Sequence, residues 1–224
     1  MKIHAKIGVV SLTIFTMLGC TTTNDAPPVS PDGLALKVST RSTIGYKKEG
    51  VDFSQYSTVK LVPSQVSFKK NWKRDFNRDH MSLSSRVKDD DVIRIKSEVA
   101  ALFDEVFKEE LGASKYNYLV NKIDGKTLIL RPAIIDLDVY APDLNSPHRG
   151  KTYTKESGEA TLFLEVYDGV SGEILARIID NERVGDRGYA NWTNRVSNRA
   201  DAKRTIRKWA VALREKLDAQ HALK

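Results

Sequence analysis

Gly158-Glu159-Ala160-Thr161-Leu162-Phe163-Leu164-Glu165-Val166-Tyr167-Asp168-Gly169-Val170-Ser171-Gly172-Glu173-Ile174-Leu175-Ala176-Arg177-Ile178-Ile179-Asp180 is the most legible stretch of the chain. Ala160, Leu162, Leu164 and Val166 alternate with other residues over Glu159 to Tyr167, the period of a strand with one apolar face. Asp168-Gly169-Val170-Ser171-Gly172 is dense in turn formers, and Glu173 to Asp180 returns the chain as a second strand. The stretch therefore reads as a β-hairpin.

Upstream, Lys126 to Val139 predicts a long strand entered through the turn signal Ile123-Asp124-Gly125-Lys126. Tyr116 to Val120 predicts another. Before these lies a helix. Asp89, Asp90 and Asp91 stand where carboxylates favour the positive end of the helix dipole. Val92, Ile95, Val99, Leu102 and Val106 recur at three and four, and Gly112 is a natural stop. The acidic triplet reads as helix capping rather than as a metal site. Thr58 to Phe68 predicts the first strand, with Pro63 marking an edge or a bulge. The basic segment 69–88 reads as a long loop with room for a short helix.

Downstream, a polar loop over 183–197 leads to a last helix. Asn198 is its expected N-cap, with Asp201 three residues on. Ala202, Ile206, Trp209, Leu213 and Leu217 form its apolar stripe. Alternating strands need one cover, and the two helices have one apolar face each. The expectation is an α+β fold with two layers: one mainly antiparallel sheet of four to five strands, with both helices packed on one face. The first strand, helix and next strand would form a right-handed crossover. Leu162, Leu164, Ile95, Val99, Ile206 and Trp209 should share the core.

The hydrophobic fraction of 41 % and charged fraction of 29 % are those of an ordinary globular protein. The 224 residues carry a formal net charge of +7, too modest an excess to argue for nucleic acid. The chain has one cysteine, Cys20, so no intrachain disulfide is possible. Lys2, His4 and Lys6 precede an uncharged run from Ile7 to Leu18, then Gly19 and Cys20. This is the arrangement of an export signal, and the run is shorter than the roughly 20 apolar residues of a spanning helix. Met17-Leu18-Gly19-Cys20 resembles the bacterial lipobox, which implies cleavage before Cys20 and acylation of its sulfur. Two or three acyl chains anchor a domain durably where one binds only marginally. Thr21, rather than Asp, follows the cysteine, which favours the outer membrane. The expected organisation is a signal peptide over 1–19, a lipidated N-terminus and flexible tether over 20–44, and one α+β domain over 45–224.

Gly50-Val51-Asp52-Phe53-Ser54-Gln55-Tyr56-Ser57-Thr58-Val59, the hairpin from Gly158-Glu159-Ala160 through Gly172-Glu173-Ile174-Leu175-Ala176, and the last helix with Trp209 and Ala210 resemble the bacterial lipoproteins grouped as domain of unknown function 3313. With the leader, the resemblance covers nearly the whole chain. It implies a lipoprotein and no catalytic residue.

His80, His148 and His221 are the histidines beyond the leader, and none lies in a nucleophile motif such as G-x-S-x-G. No zinc-type spacing of His or Cys occurs, and no cofactor is implied. Asp136 and Asp138 should share a strand face, where with Glu159 or Glu165 they could hydrolyse a glycan, although a solvated strand face is the simpler account. Residues 182–224 hold 11 basic and 5 acidic groups. Arg199, Lys203, Arg204, Arg207 and Lys208 are the candidate surface for an anionic partner, a lipid headgroup or an acidic protein. The reading is a periplasm-facing binding or accessory domain, not an enzyme, held to the membrane through lipid on Cys20. The alternative is a carboxylate-dependent hydrolase of peptidoglycan or envelope glycan.

Overall fold

A computed structural model of the chain describes residues 26–80, 82–116, 118–144, 152–186, 188 and 191–222, without side chains at 84, 152–153 and 191–193. The leader, Cys20 and His148 lie outside the described residues.

The hairpin forms as read. Strands β7 (Gly158–Asp168) and β8 (Ile174–Val184) pair antiparallel, with Leu162 opposite Asp180 and Leu164 opposite Ile178. The Asp168 carboxylate holds the turn by accepting the N–H groups of Val170 and Ser171 at 2.9 and 2.7 Å. It also accepts the Tyr56 hydroxyl at 2.8 Å. The Ser171 N–H and the Tyr56 hydroxyl draw its pKa down to about 2.

On the other flank of β7, strand β5 (Thr127–Val139) is antiparallel to it. The next position is shared by β3 (Thr58–Leu61) and β4 (Gln65–Phe68), both parallel to β5. They are the two halves of the strand expected over 58–68, broken at Pro63. In the break, Ser64 donates its N–H to Asp104 and its hydroxyl to the Ala100 carbonyl, at 3.0 and 3.2 Å. Tyr116 to Val120 makes a single bridge, Leu119 to Val59, instead of a strand.

The larger correction is at the opposite edge. Strands β1 (Ala35–Ser39) and β2 (Thr43–Lys47) extend the sheet beside β8, in a segment expected to be tether. Leu34 is 1 % exposed. Arg177 grips the Asp32 carboxylate with both of its terminal nitrogens and holds Glu165 at 2.8 Å. The structured domain therefore begins well before residue 45. Short, polar strands lacking a clean apolar alternation give little sequence signal, and their backbone is satisfied only once β8 lies beside them. The sheet is thus mixed and seven-stranded, in the order β1-β2-β8-β7-β5-β3 with β4 also on β5. It is not a mainly antiparallel sheet of four to five strands.

Among the described residues, three α-helices accompany it: α1 (Trp72–Asp79), α2 (Asp89–Gly112) and α3 (Arg195–Ala222). The α+β class holds. Trp72 stacks on Phe68 with ring centroids 4.1 Å apart and donates its indole N–H to the Val139 carbonyl at 3.2 Å. The acidic triplet serves the start of α2: Asp91 accepts the Lys88 N–H at 3.0 Å and Asp89 pairs with Lys73 at 2.6 Å. Helices α2 and α3 join one face of the sheet in a single apolar cluster. Ile95, Leu162, Leu164, Ile206 and Trp209 are buried there, with Val99 packed against them. Strands β6 (Thr152–Thr154) and β9 (Asn191–Thr193) pair separately.

Candidate functional site

Helix α3 starts earlier than expected, and this sets the site. Asn194 is the cap: its side chain accepts the Ser197 N–H at 3.0 Å, and Ser197 Oγ accepts the Asn194 N–H at 2.9 Å. This reciprocal pairing satisfies two N-terminal donors. Asn198, the expected cap, is therefore one turn inside the helix.

Two stripes of α3 meet α2. The first is charged. Arg199 reaches Glu105 at 3.0 Å, and Lys203 reaches Glu105 and Glu109 at 3.2 and 3.6 Å. Arg207 reaches Glu109 and Glu110 at 3.0 and 2.9 Å, and Arg214 reaches Glu110 at 2.9 Å. The pairs advance in the same direction along both helices, so α2 and α3 run parallel. Arg204 pairs with Asp201, and Lys208 with Glu182. All five residues expected to face an anionic partner are thus engaged by carboxylates of this chain. Three of the five, Arg199, Lys203 and Arg207, face the acidic side of α2. Glu105 and Glu109 at a spacing of four, facing Arg199, Lys203 and Arg207 at the same spacing, were the available signal.

The second stripe is apolar. Ala202, Ile206 and Trp209 of α3 face Ile95, Val99 and Leu102 of α2 across a cavity of about 380 Å³. Ile134 and Leu137 of β5 and Ala160 of β7 close it on the sheet side. The Trp209 indole donates to Asp180 at 2.7 Å, and Asp180 also accepts the Thr43 hydroxyl at 2.5 Å, which ties α3 to β8 and β2. Ser157, at the cavity wall, donates to the buried Asp201 at 2.5 Å. Gly185, at φ +76°, lies so close that a Cβ there would sit 2.4 Å from Asp201 Oδ2.

Polar groups edge this cavity. Arg94 binds Asp91 at 3.2 Å, Glu98 at 3.4 Å and the Asp143 carbonyl. Asn198 donates its amide to the Ala141 carbonyl at 2.9 Å, which fixes which side-chain atom is the oxygen. Two buried atoms on these two lining residues have no hydrogen-bond partner among the described residues: Arg94 Nε and Asn198 Oδ1.

The alternation expected to place Asp136 and Asp138 on one strand face is interrupted, while Asp138 and Glu159 stand opposite each other on β5 and β7. A bulge between Ile135 and Asp138, with Asp136 at φ +51°, breaks the strand alternation. Ile134 and Leu137, three apart, both reach the core. Asp136 is exposed, and Asp138 pairs with Lys69 at 3.1 Å opposite Glu159 on β7. Tyr140 is pushed up to about 12 by burial and by the Glu159 and Asp138 charges. Glu165 is held by Arg177 on the sheet face away from the helices. His80 stacks on Phe76, and His221 on Tyr116. Among the described residues no group of three or more His, Cys, Asp or Glu side chains is placed to hold a metal ion, and no helix is long and apolar enough to cross a membrane.

No curated protein matches the chain. Solved structures resemble it at low identity. A PelC dodecamer from Paraburkholderia phytofirmans is 10 % identical with a TM-score of 0.35, over 77 % of this chain and 97 % of that one. A hypothetical protein from Chlamydia trachomatis is 12 % identical with a TM-score of 0.38, over 72 % and 98 %. A PDZ domain protein from Parabacteroides distasonis is 14 % identical with a TM-score of 0.37, over 76 % and 34 %. These values are too low to carry any of their properties across. The sequence profile of the family described as "Protein of unknown function (DUF3313)" matches residues 29–213, and the chain belongs to that family.

Proposed function

We propose that this chain is a bacterial envelope lipoprotein, anchored through acyl groups on Cys20 in the outer membrane, whose periplasm-facing domain is a binding module. The leader pattern and the lipobox resemblance support the anchor. The observation that carries the binding role is the apolar cavity between α2, α3 and the sheet. Its volume falls within the roughly 300–1,000 Å³ range of small-ligand pockets, and such pockets combine apolar walls with a few placed polar groups.

Two measurements test this reading. Mass spectrometry of the mature protein should find Cys20 as the acylated first residue. An uncleaved chain, or a Cys20→Ser variant that stays in the membrane fraction after a carbonate wash, overturns the anchor. Crosslinking in living cells from a photoreactive residue at Val99 should capture a specific adduct. Its absence there, with adducts forming from exposed Ile93, moves binding away from the cavity.

A carboxylate-dependent hydrolase is the second reading, favoured by the cross-strand placement of Asp138 and Glu159. Digestion of cell-wall material by the purified protein, lost in an Asp136→Asn, Asp138→Asn double variant, would establish it.

A further inference from the structure

We infer that one edge of the domain, formed by β1 and the strap over residues 27–34, lies against the headgroups of the bilayer that holds the Cys20 acyl chains, kept there by the shortness of its link to Cys20. This rests on the anchor proposed above and adds which side of the domain meets the membrane.

The strap is fastened to the sheet. Ala35 pairs with Lys47 of β2 on one side and bridges Val29 on the other, so the strap borders the side of β1 away from β2. The Pro28 carbonyl accepts the Leu36 N–H at 2.9 Å, and the Pro27 carbonyl accepts the Tyr46 hydroxyl at 3.1 Å. Ser30 Oγ donates to Asp32 at 2.6 Å and accepts the Leu34 N–H at 3.0 Å, with Ser30 and Leu34 both buried. Arg177 grips Asp32 in turn. Tyr46 and Arg177 are cross-strand partners, and so share the sheet face away from α2 and α3. The strap therefore occupies one sheet edge and reaches onto the face without helices.

Chain length does the rest. Six residues, Thr21 to Ala26, separate Cys20 from Pro27. A chain spans at most about 3.6 Å per residue, so in any conformation this link reaches no further than about 25 Å. Had the domain begun at residue 45, the reach would have been about 90 Å. A domain of about 200 residues has a radius of gyration of about 16 Å, and is broader than this link is long. β1 and β3 stand five strand spacings apart, which is about 24 Å at about 4.8 Å each. An anchor this short keeps the strap edge at the headgroups and the β3–β4 edge away from them. Resting the helical layer on the bilayer instead would place the sheet and a helix about 10–12 Å thick beneath the strap. That would draw the link towards its limit, at a cost in chain entropy.

The edge does not call for anionic lipid. Lys37 pairs with Glu49, Lys48 with Glu173, and Arg177 with Asp32 and Glu165. Lys47 lies over the Phe53 ring at 5.1 Å, and Arg41 is the remaining charged residue of 26–49. Val29 and Val38 present apolar side chains there, 55 % and 41 % exposed. Zwitterionic headgroups suffice, because a short link alone supplies a high effective concentration of the surface.

The test uses the acylated protein in phosphatidylcholine vesicles that contain a lipid with a nitroxide on its headgroup. Cys20 is the one cysteine of the chain, so once it is acylated a fluorophore attaches only to a cysteine introduced by Val29→Cys or Ile93→Cys. Ile93 is exposed near the start of α2, where Lys73 of α1 reaches Asp89, and α1 follows β4 at the opposite side of the sheet. Quenching should be at least about twofold stronger at position 29 than at position 93, as a link of about 25 Å requires. Added salt should not change the ratio, since exposed charge is not what holds the edge. Inserting about 20 Gly and Ser residues before Ala26 should bring the two positions close to equality. Val38→Cys serves if circular dichroism shows that Val29→Cys disturbs the fold. Equal quenching at the two positions, stronger quenching at position 93, or a preference that survives the insertion would overturn the inference. Mass spectrometry of the same sample separates the two readings. An acylated Cys20 with equal quenching rejects the membrane-facing edge alone. An unmodified Cys20 in a chain that does not stay with the vesicles rejects the anchor, and the membrane-facing edge with it.

Discussion

The two stripes of α3 solve the same packing problem in opposite ways. Along Arg199, Lys203, Arg207 and Arg214, each cation meets a carboxylate on α2. Along Ala202, Ile206 and Trp209, the facing side chains stop short of filling the space between helices and sheet. The helices run parallel, so their dipoles oppose close approach, and cations near the N-terminal end of α3 are locally unfavourable. The α2 carboxylates offset both. The long, obvious basic run is engaged in ion pairs within the chain, while the short apolar stripe beside it borders a cavity.

The apolar stripe is the more consequential for stability. Trp209→Ala should cost about 3–5 kcal/mol, the range for truncating a buried aromatic, and it also removes the donor to buried Asp180. Urea unfolding measures this; a cost under about 1 kcal/mol would mean Trp209 is not the anchor of the seam. Gly185→Ala tests the same wall from the sheet side. A side chain at φ +76° and a contact with Asp201 should together cost about 2–3 kcal/mol.

The charged stripe should respond less and unevenly. Glu110 is the most enclosed of its carboxylates, with its side chain 12 % exposed, and serves both Arg207 and Arg214. Glu110→Ala should cost about 1–2 kcal/mol, between the values for exposed and buried pairs. Arg199→Ala, at the exposed end, should cost under about 1 kcal/mol and lose even that in high salt. Neutralising Arg199, Lys203 and Arg207 together should lower the unfolding midpoint while leaving binding to anionic vesicles unchanged. A large loss of vesicle binding with an unchanged midpoint would return these residues to a partner-binding role.

Acid separates the stripes most finely. A hydrogen bond from Lys203, and its charge, hold the Glu105 carboxyl below its ordinary value. A depressed folded pKa stabilises the fold above the unfolded value, and the contribution fades as pH falls through the folded one. The difference in urea midpoint between wild type and Glu105→Gln should therefore shrink as pH drops from about 6 to about 3. The Trp209→Ala difference should not follow it.

Legibility in the sequence tracked the range of the signal. The hairpin was readable because Ala160 to Val166 alternate and Asp168 to Gly172 close the turn within a few residues. The helices were readable from their own periods, and so were six core positions. The bulge at Asp136 was not, because a positive φ there follows from how β5 pairs with β7 and leaves no mark on residue type. The cap at Asn194 was missed because Asn198 offered the same chemistry four residues later.

The sequence alone determined the hairpin, the two long helices and their core faces, the α+β class and the family. Each follows from local periodicity or from a pattern along the chain. Tertiary structure decided the rest: β1 and β2 joining the sheet beside β8, β3 and β4 running parallel to β5, the pairing of the basic stripe with α2, and the cavity. These depend on which segments far apart in the chain come into contact. Hydrogen bonds and ion pairs form at about 3 Å, and a chain position carries no record of the partner it will find at that distance.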